Sequence, residues 1–193
     1  SMFYEDFEME GDDTYSAHDY IGDAAQWRFS DAGIWSSDAA YSGEQAVRFG
    51  KTSSSYIAMS EDKNEGMGVV SFYAKQWSSS DGAAVVNVEY STDGGSSWVV
   101  AGEVTIDQSS YTQYSVNVNK TGSVRLRLSQ KSGKRFMLDA LKVGNYGTMV
   151  EHLNSGDWTA YCYDGCMIIE SEKNYDIVNV PINQMTDLTP MSK

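Results

Sequence analysis

Cysteine, histidine and proline are scarce in this chain of 193 residues, at two of each. Cys162, Cys166, His18 and His152 match no familiar zinc-ligand spacing, so a structural zinc site is not expected. With only two histidines there is no His-Glu-x-x-His helix; a Gly-x-Ser-x-Gly elbow and a phosphate-cradling glycine loop are also missing, which leaves catalysis little to stand on. Both prolines follow Val180, so no rigid linker interrupts the body. No run reaches the 18 or more apolar residues of a membrane helix, and membrane insertion is not expected. Basic residues are few as well. Fourteen face 27 acidic ones, for a net charge of −13, which argues against nucleic acid and leaves carboxylates for calcium. The one basic concentration, Lys131 to Arg135, reads as a hairpin turn. Ser1-Met2 reads as a remnant ahead of a sequence that begins near Phe3, so export must be argued from elsewhere.

Alternation of apolar and polar residues fills the chain instead. It predicts strands over Gln45–Phe49, Ser55–Met59, Gly68–Gln76, Ala83–Ser91, Trp98–Val100, Glu103–Ile106, Tyr111–Asn117, Ser123–Ser129 and Phe136–Val143, separated by Gly, Asn, Asp or Ser clusters. Val124, Leu126 and Leu128 should face inward and Arg125 and Arg127 outward. The expectation is an all-β antiparallel sandwich of jelly-roll topology over residues 1–146, with a short C-terminal β-hairpin appendage over 147–193. The first 45 residues read as irregular.

The stretch STDGGSSW, residues 91–98, joins two of these strands. Asp93-Gly94-Gly95 supplies the positive-φ positions of a tight hairpin, and Asp93 can accept N–H groups within the turn. The pattern is the Asp-box of sialidase propellers. Such a propeller repeats the box over several blades and needs an arginine cluster to hold a carboxylate. Here there is one box, and Arg28, Arg48, Arg125, Arg127 and Arg135 follow strand positions without a visible cluster, so the box is read as a turn clamp. In the tail, a two-residue Asp164-Gly165 loop would pair Tyr163 with Cys166 and keep the cysteines apart; a three-residue bulged loop would permit a disulfide. Reduced thiols are the favoured expectation.

The ordered series Phe3-Tyr-Glu-Asp-Phe-Glu8, Tyr41-Ser-Gly-Glu-Gln-Ala-Val-Arg48, Val70-Ser-Phe-Tyr-Ala-Lys75, the STDGGSSW hairpin and Lys134-Arg-Phe-Met-Leu-Asp-Ala-Leu-Lys-Val143 resembles the choice-of-anchor and cleaved-adhesin jelly-roll modules of exported proteins from outer-membrane bacteria. The family's closing strand often carries two aspartates, and here the second position is Ala140. The tail, Asp157 to Glu170 and Asn174 to Val180, resembles the first strands of a type IX C-terminal sorting domain, truncated or degenerate after Pro181. The resemblance implies a secreted or cell-surface location, and a structural calcium between the first and last strands, held by Glu8 and Asp139 with backbone carbonyls and carboxylates such as Glu5, Asp6 or Asp31.

Trp27, Phe29, Trp35 and Tyr41 in the first 45 residues, and Trp77 beside a Ser-rich loop, are candidate sugar-stacking rings, set against core filling in a chain that is 12% aromatic. A glycosidase pair such as Glu89 and Asp93 can be written down, but nothing selects it. The expected function is a monomeric, non-catalytic binding or adhesion module for a glycan or a surface protein; the alternative is an accessory domain or fragment of a secreted glycosidase or nuclease.

Overall fold

A computed structural model of the protein describes residues 2–147 in full, and beyond them the backbone of four strands. Twelve strands form two antiparallel sheets, as the alternation demands. They are β1 (Phe3–Glu5), β2 (His18–Ile21), β3 (Gln26–Ser30), β4 (Ala32–Trp35), β5 (Ala46–Phe49), β6 (Tyr56–Met59), β7 (Met67–Gln76), β8 (Ala84–Ser91), β9 (Val99–Ile106), β10 (Thr112–Lys120), β11 (Arg125–Ser132) and β12 (Phe136–Val143). The first sheet runs β10-β7-β12-β5-β4, with β1 also paired to β12; the second runs β2-β3-β6-β11-β8-β9. Between β5 and β8 the chain changes sheet at every connection, and again from β9 to β12. The Lys131–Arg135 segment is therefore a crossing between sheets and not the hairpin turn expected. The inward-facing residues fuse into one core, with Val124, Leu126 and Leu128 fully buried as their alternation requires.

Two expectations need correction. The first 45 residues are not irregular, because they hold β1 to β4. These strands are three to five residues long, below the length at which alternation stands out, yet Gln26-Trp27-Arg28-Phe29 does alternate between exposed and buried. Trp27 and Phe29 point into the core. The break placed between Trp98–Val100 and Glu103–Ile106 is a bulge inside one continuous β9, where the register with β8 slips between Val88 and Glu89. The tail strands β13 (Leu153–Ser155), β14 (Trp158–Tyr163), β15 (Cys166–Ser171) and β16 (Ile177–Pro181) pair in order, more than a single hairpin. Tyr163 sits opposite Cys166 and Cys162 opposite Met167, the register of the two-residue connection.

The Asp-box hairpin joins β8 to β9. Asp93 Oδ1 accepts the Ser91 hydroxyl at 2.7 Å and the Ser97 amide at 2.9 Å, and the Gly95 amide donates to Ser91 Oγ at 2.9 Å. The bond from the Ser97 hydroxyl to Oδ2, then those from the Ser91 hydroxyl and the Ser97 amide, hold the Asp93 carboxyl down at about 2. A folded pKa below the unfolded one adds stability above pH 4 that is lost as pH falls through 2. Asp93→Ala should lower the melting temperature measurably at pH 7, and the difference from wild type should shrink at pH 2. A difference that stays constant over that range would mean the carboxylate is not the clamp.

Candidate functional site

Strand β12 changes its partner midway, and the candidate metal carboxylate sits at the change. Phe136–Leu138 pair with β5, Leu141–Val143 pair with β1, and the register with β7 slips between Asp139 and Lys142. Ala140 takes the left-handed conformation there, at φ 52°, and Phe7 does the same just past β1, at φ 57°. Non-glycine residues rarely hold such angles without support from their surroundings. Each stands next to one of the two carboxylates, Asp139 and Glu8.

Residues 41–45 tie the pair together. Asp139 Oδ2 accepts the amides of Tyr41 and Ser42, both at 3.0 Å, and Oδ1 accepts that of Ala140 at 2.8 Å. Glu8 accepts the amide of Glu44 on both its oxygens, at 3.1 Å, and that of Gln45 at 3.2 Å. Gly43 sits at φ 68°, where a side chain is strained, and a Cβ there would stand 2.3 Å from Glu8 Oε1 and push that carboxylate off its amides. Asp139 is fully buried whereas Glu8 is exposed. Burial, with a smaller push from the negative charge of Glu8, raises the Asp139 carboxyl to about 6 against the pull of its three backbone donors.

The carboxylates expected to complete a calcium shell are engaged elsewhere. Glu5 is buried and accepts the Trp27 indole N–H at 2.9 Å and the amides of Phe7 and Asp23. Asp31 takes the hydroxyls of Thr52 and Ser55, and Asp6 Oδ1 accepts the amide of Glu8 at 3.1 Å. Among the described residues no group of three or more His, Cys, Asp or Glu side chains could hold a metal. Glu8 and Asp139 both accept amides of residues 41–45, and any further ligands beside them would have to be backbone carbonyls or water.

The sequence-predicted aromatics divide. Trp27 is a core residue with no exposed surface, and its role as a ligand platform is ruled out by burial between Phe3 and Phe7. Trp35 is only 8% exposed and is covered by the Arg48 guanidinium, 3.8 Å from its ring. Tyr41 and Trp77 remain open to solvent in part, on the outer face of the first sheet. Tyr41 stacks on Tyr73 with ring centres 3.7 Å apart and 11° between planes, while Tyr111 stands edge-on at 5.8 Å. Tyr4, Tyr41, Tyr73, Ala140 and Lys142 line a shallow depression of about 370 Å³. Arg135 lies 3.7 Å over Trp77 and is paired with Asp81. Tyr4 and Tyr73 belong to this face by strand alternation alone, which was available in the sequence.

A second grouping lies on the other sheet. Arg28, Arg125 and Arg127 do cluster, contrary to expectation, on the outer face of the second sheet. Arg28 and Arg127 flank Ala58 across three neighbouring strands, and the Asp-box hairpin closes one side with Gly95 and Trp98. Glu89 is bound to Arg127 and Asp93 to its turn, so the two do not form a catalytic pair.

No family model matches the chain, and no curated protein matches it in sequence. Solved structures do resemble it in fold. The K2 cleaved adhesin domain of Lys-gingipain is 16% identical, with a TM-score of 0.56 over 75% of this chain and 99% of that one. The K1 cleaved adhesin domain of Lys-gingipain from Porphyromonas gingivalis W83 gives the same TM-score of 0.56 and 16% identity, over 76% and 99%. The CBM22-1 xylan-binding domain from Paenibacillus barcinonensis is 11% identical, with a TM-score of 0.50 over 75% and 93%. These likenesses establish the antiparallel β-sandwich of the jelly-roll type.

Proposed function

We propose that the chain is a non-catalytic binding module of an exported protein, which takes a glycan or a surface partner on the tyrosine face of its first sheet. The observation that carries this reading is the Tyr41–Tyr73 stack, which fixes one ring rigidly and leaves Tyr41 45% and the neighbouring Tyr4 40% exposed around a shallow depression. Rings held in this way offer flat apolar area with little entropy left to lose. The fold supports the reading, since it is shared with domains described as adhesin and xylan-binding. Among the described residues the one carboxyl pushed toward neutral pH, Asp139, has no exposed surface and three backbone donors on its oxygens, so it is poorly placed to pass a proton to a substrate.

Glu8 and Asp139 are the residues proposed to hold a structural calcium. A desolvated carboxyl raised toward neutrality, beside a second carboxylate and without a cationic side chain bonded to it, suits a hard cation that would keep both ionised. The ion would supply charge neutralisation only. A secreted or cell-surface location goes with the same proposal, as does the reading of the tail as a sorting element.

The test is a glycan array followed by titration of Tyr41→Ala. Affinity should fall about tenfold with little change in melting temperature. Reproducible turnover on glycan, nuclease or esterase panels, abolished by changing one carboxylate, would overturn the non-catalytic reading.

A further inference from the structure

Six strands of the second sheet carry one transverse row of side chains on the outer face: Asp19, Arg28, Ala58, Arg127, Glu89 and Val100. Ala58 is the only short side chain between the two arginines, so the row dips there. Arg125 flanks the dip two residues along β11, and its Nη1 lies 3.4 Å from where a Cβ on Gly95 would stand, which places the hairpin tip against it. Trp98 and Tyr56 add rings, with the Arg127 guanidinium 4.6 Å and 5.6 Å from their centres. The result is a recess of about 330 Å³ floored by Ala58.

The guanidinium groups are anchored but not used up. Arg127 is held to Glu89 through Nε, and Arg125 to Asp62 through Nε at 2.7 Å. Arg28 uses Nη1 alone, on Asp19 at 3.1 Å. Among the described residues, no hydrogen bond engages either Nη atom of Arg125 or Arg127. Nε anchoring orients the planar group and leaves its two terminal nitrogens as a fork, the geometry that fits a carboxylate with two parallel hydrogen bonds. Three arginines face three carboxylates here, so the recess has no net charge to attract anions in general. Selection must come from directed N–H groups and adjoining rings.

We propose that this recess is a second ligand site, selective for a sugar residue that bears a carboxylate. The fork receives the carboxylate, and Trp98 and Tyr56 flank the ring of the same sugar. The Asp-box then does more than clamp a turn, because it sets Gly95 and Trp98 as the wall of the recess. This site is on the opposite sheet from the tyrosine face and stands independently of it.

The experiment uses the whole chain and two probes, tri-galacturonate and the neutral galactose trisaccharide, followed through the indole and arginine Nε–H resonances and the backbone amides. The acidic probe should shift Trp98 and Arg125 signals and bind at least about tenfold more tightly than the neutral one. Arg125→Lys keeps the charge and removes the fork, so it should weaken binding as much as Arg125→Gln. Arg28→Gln, at an exposed ion pair that a folded chain tolerates, should weaken it less. Equal binding of both probes, full binding by Arg125→Lys, or no shift with either probe at about 10 mM each overturns the proposal. Shifts at Tyr41 and Tyr73 without any at Trp98 also overturn it while leaving the tyrosine face intact.

Discussion

Trp27→Ala should destabilise the protein by about 3–5 kcal/mol, and the folded fraction should bind its ligand as before. Trp27 is the largest of the fully buried side chains among the described residues and sits in ring contact with Phe3 and Phe7, centres 6.4 Å and 6.2 Å away. Its indole N–H is met by Glu5, itself without exposed surface. Removing the acid instead of the ring should also be costly. Glu5→Ala leaves the indole N–H and the Phe7 amide without an acceptor, at about 1–3 kcal/mol for each buried donor left unmatched. The double mutant should then cost less than the two singles added, because the indole donor that Glu5 satisfied is gone. Urea unfolding of the three variants checks this. Lost binding in Trp27→Ala with unchanged stability would return the ring to the ligand site.

That result also separates what the sequence could show from what it could not. Alternation located β7 to β12 and their inward faces, since runs of eight to ten residues repeat the pattern often enough to be read, while the four-residue β5 and β6 stood out through the Gly, Asn, Asp or Ser clusters around them. Gln26-Trp27-Arg28-Phe29 carries the same pattern in only four residues, too few to tell its two inward rings from loop aromatics. That Glu8 and Asp139, 131 positions apart, come to bond one segment was legible only through the expected topology, because it needs the pairing of β1 with β12. Asp139 also needs a bulge at Ala140, which no residue type announces. The arginine recess was hidden for a different reason. Arg28 and Arg127 are both outward by alternation, but their placement on either side of Ala58 is a matter of strand order, and strand order is not written in the period of a strand.

Stability without added metal should fall as pH rises from 4 to 8, and calcium should reverse that trend. Burial raises the Asp139 carboxyl from its ordinary 3.8 to about 6 in the folded state. A raised pKa means the native state holds the proton that the unfolded chain has released, so its contribution is full below pH 4 and is lost as pH climbs through 6. The loss by pH 8 is of the order of 2–3 kcal/mol, taking 1.4 kcal/mol per pKa unit. A calcium ion between Asp139 and Glu8 favours the ionised carboxyl and competes with its proton, so calcium-dependent stabilisation should be small at pH 5 and grow toward pH 8. At a hundredfold excess over its dissociation constant the ion adds about 2.7 kcal/mol, which offsets most of the loss, and chelator removes the gain. Asp139→Asn tests the same carboxyl from another side. It cannot ionise, so the fall between pH 4 and 8 should flatten and the calcium response should largely disappear, while its amide NH₂ must face the donors of Ala140 or of Tyr41 and Ser42 and lowers the baseline at every pH. Melting curves with calcium and with chelator at pH 5 and pH 8 decide the matter. A wild-type curve indifferent to both at pH 8 would leave Glu8 and Asp139 as two caps on the backbone of residues 41–45, closing the sandwich by hydrogen bonds alone.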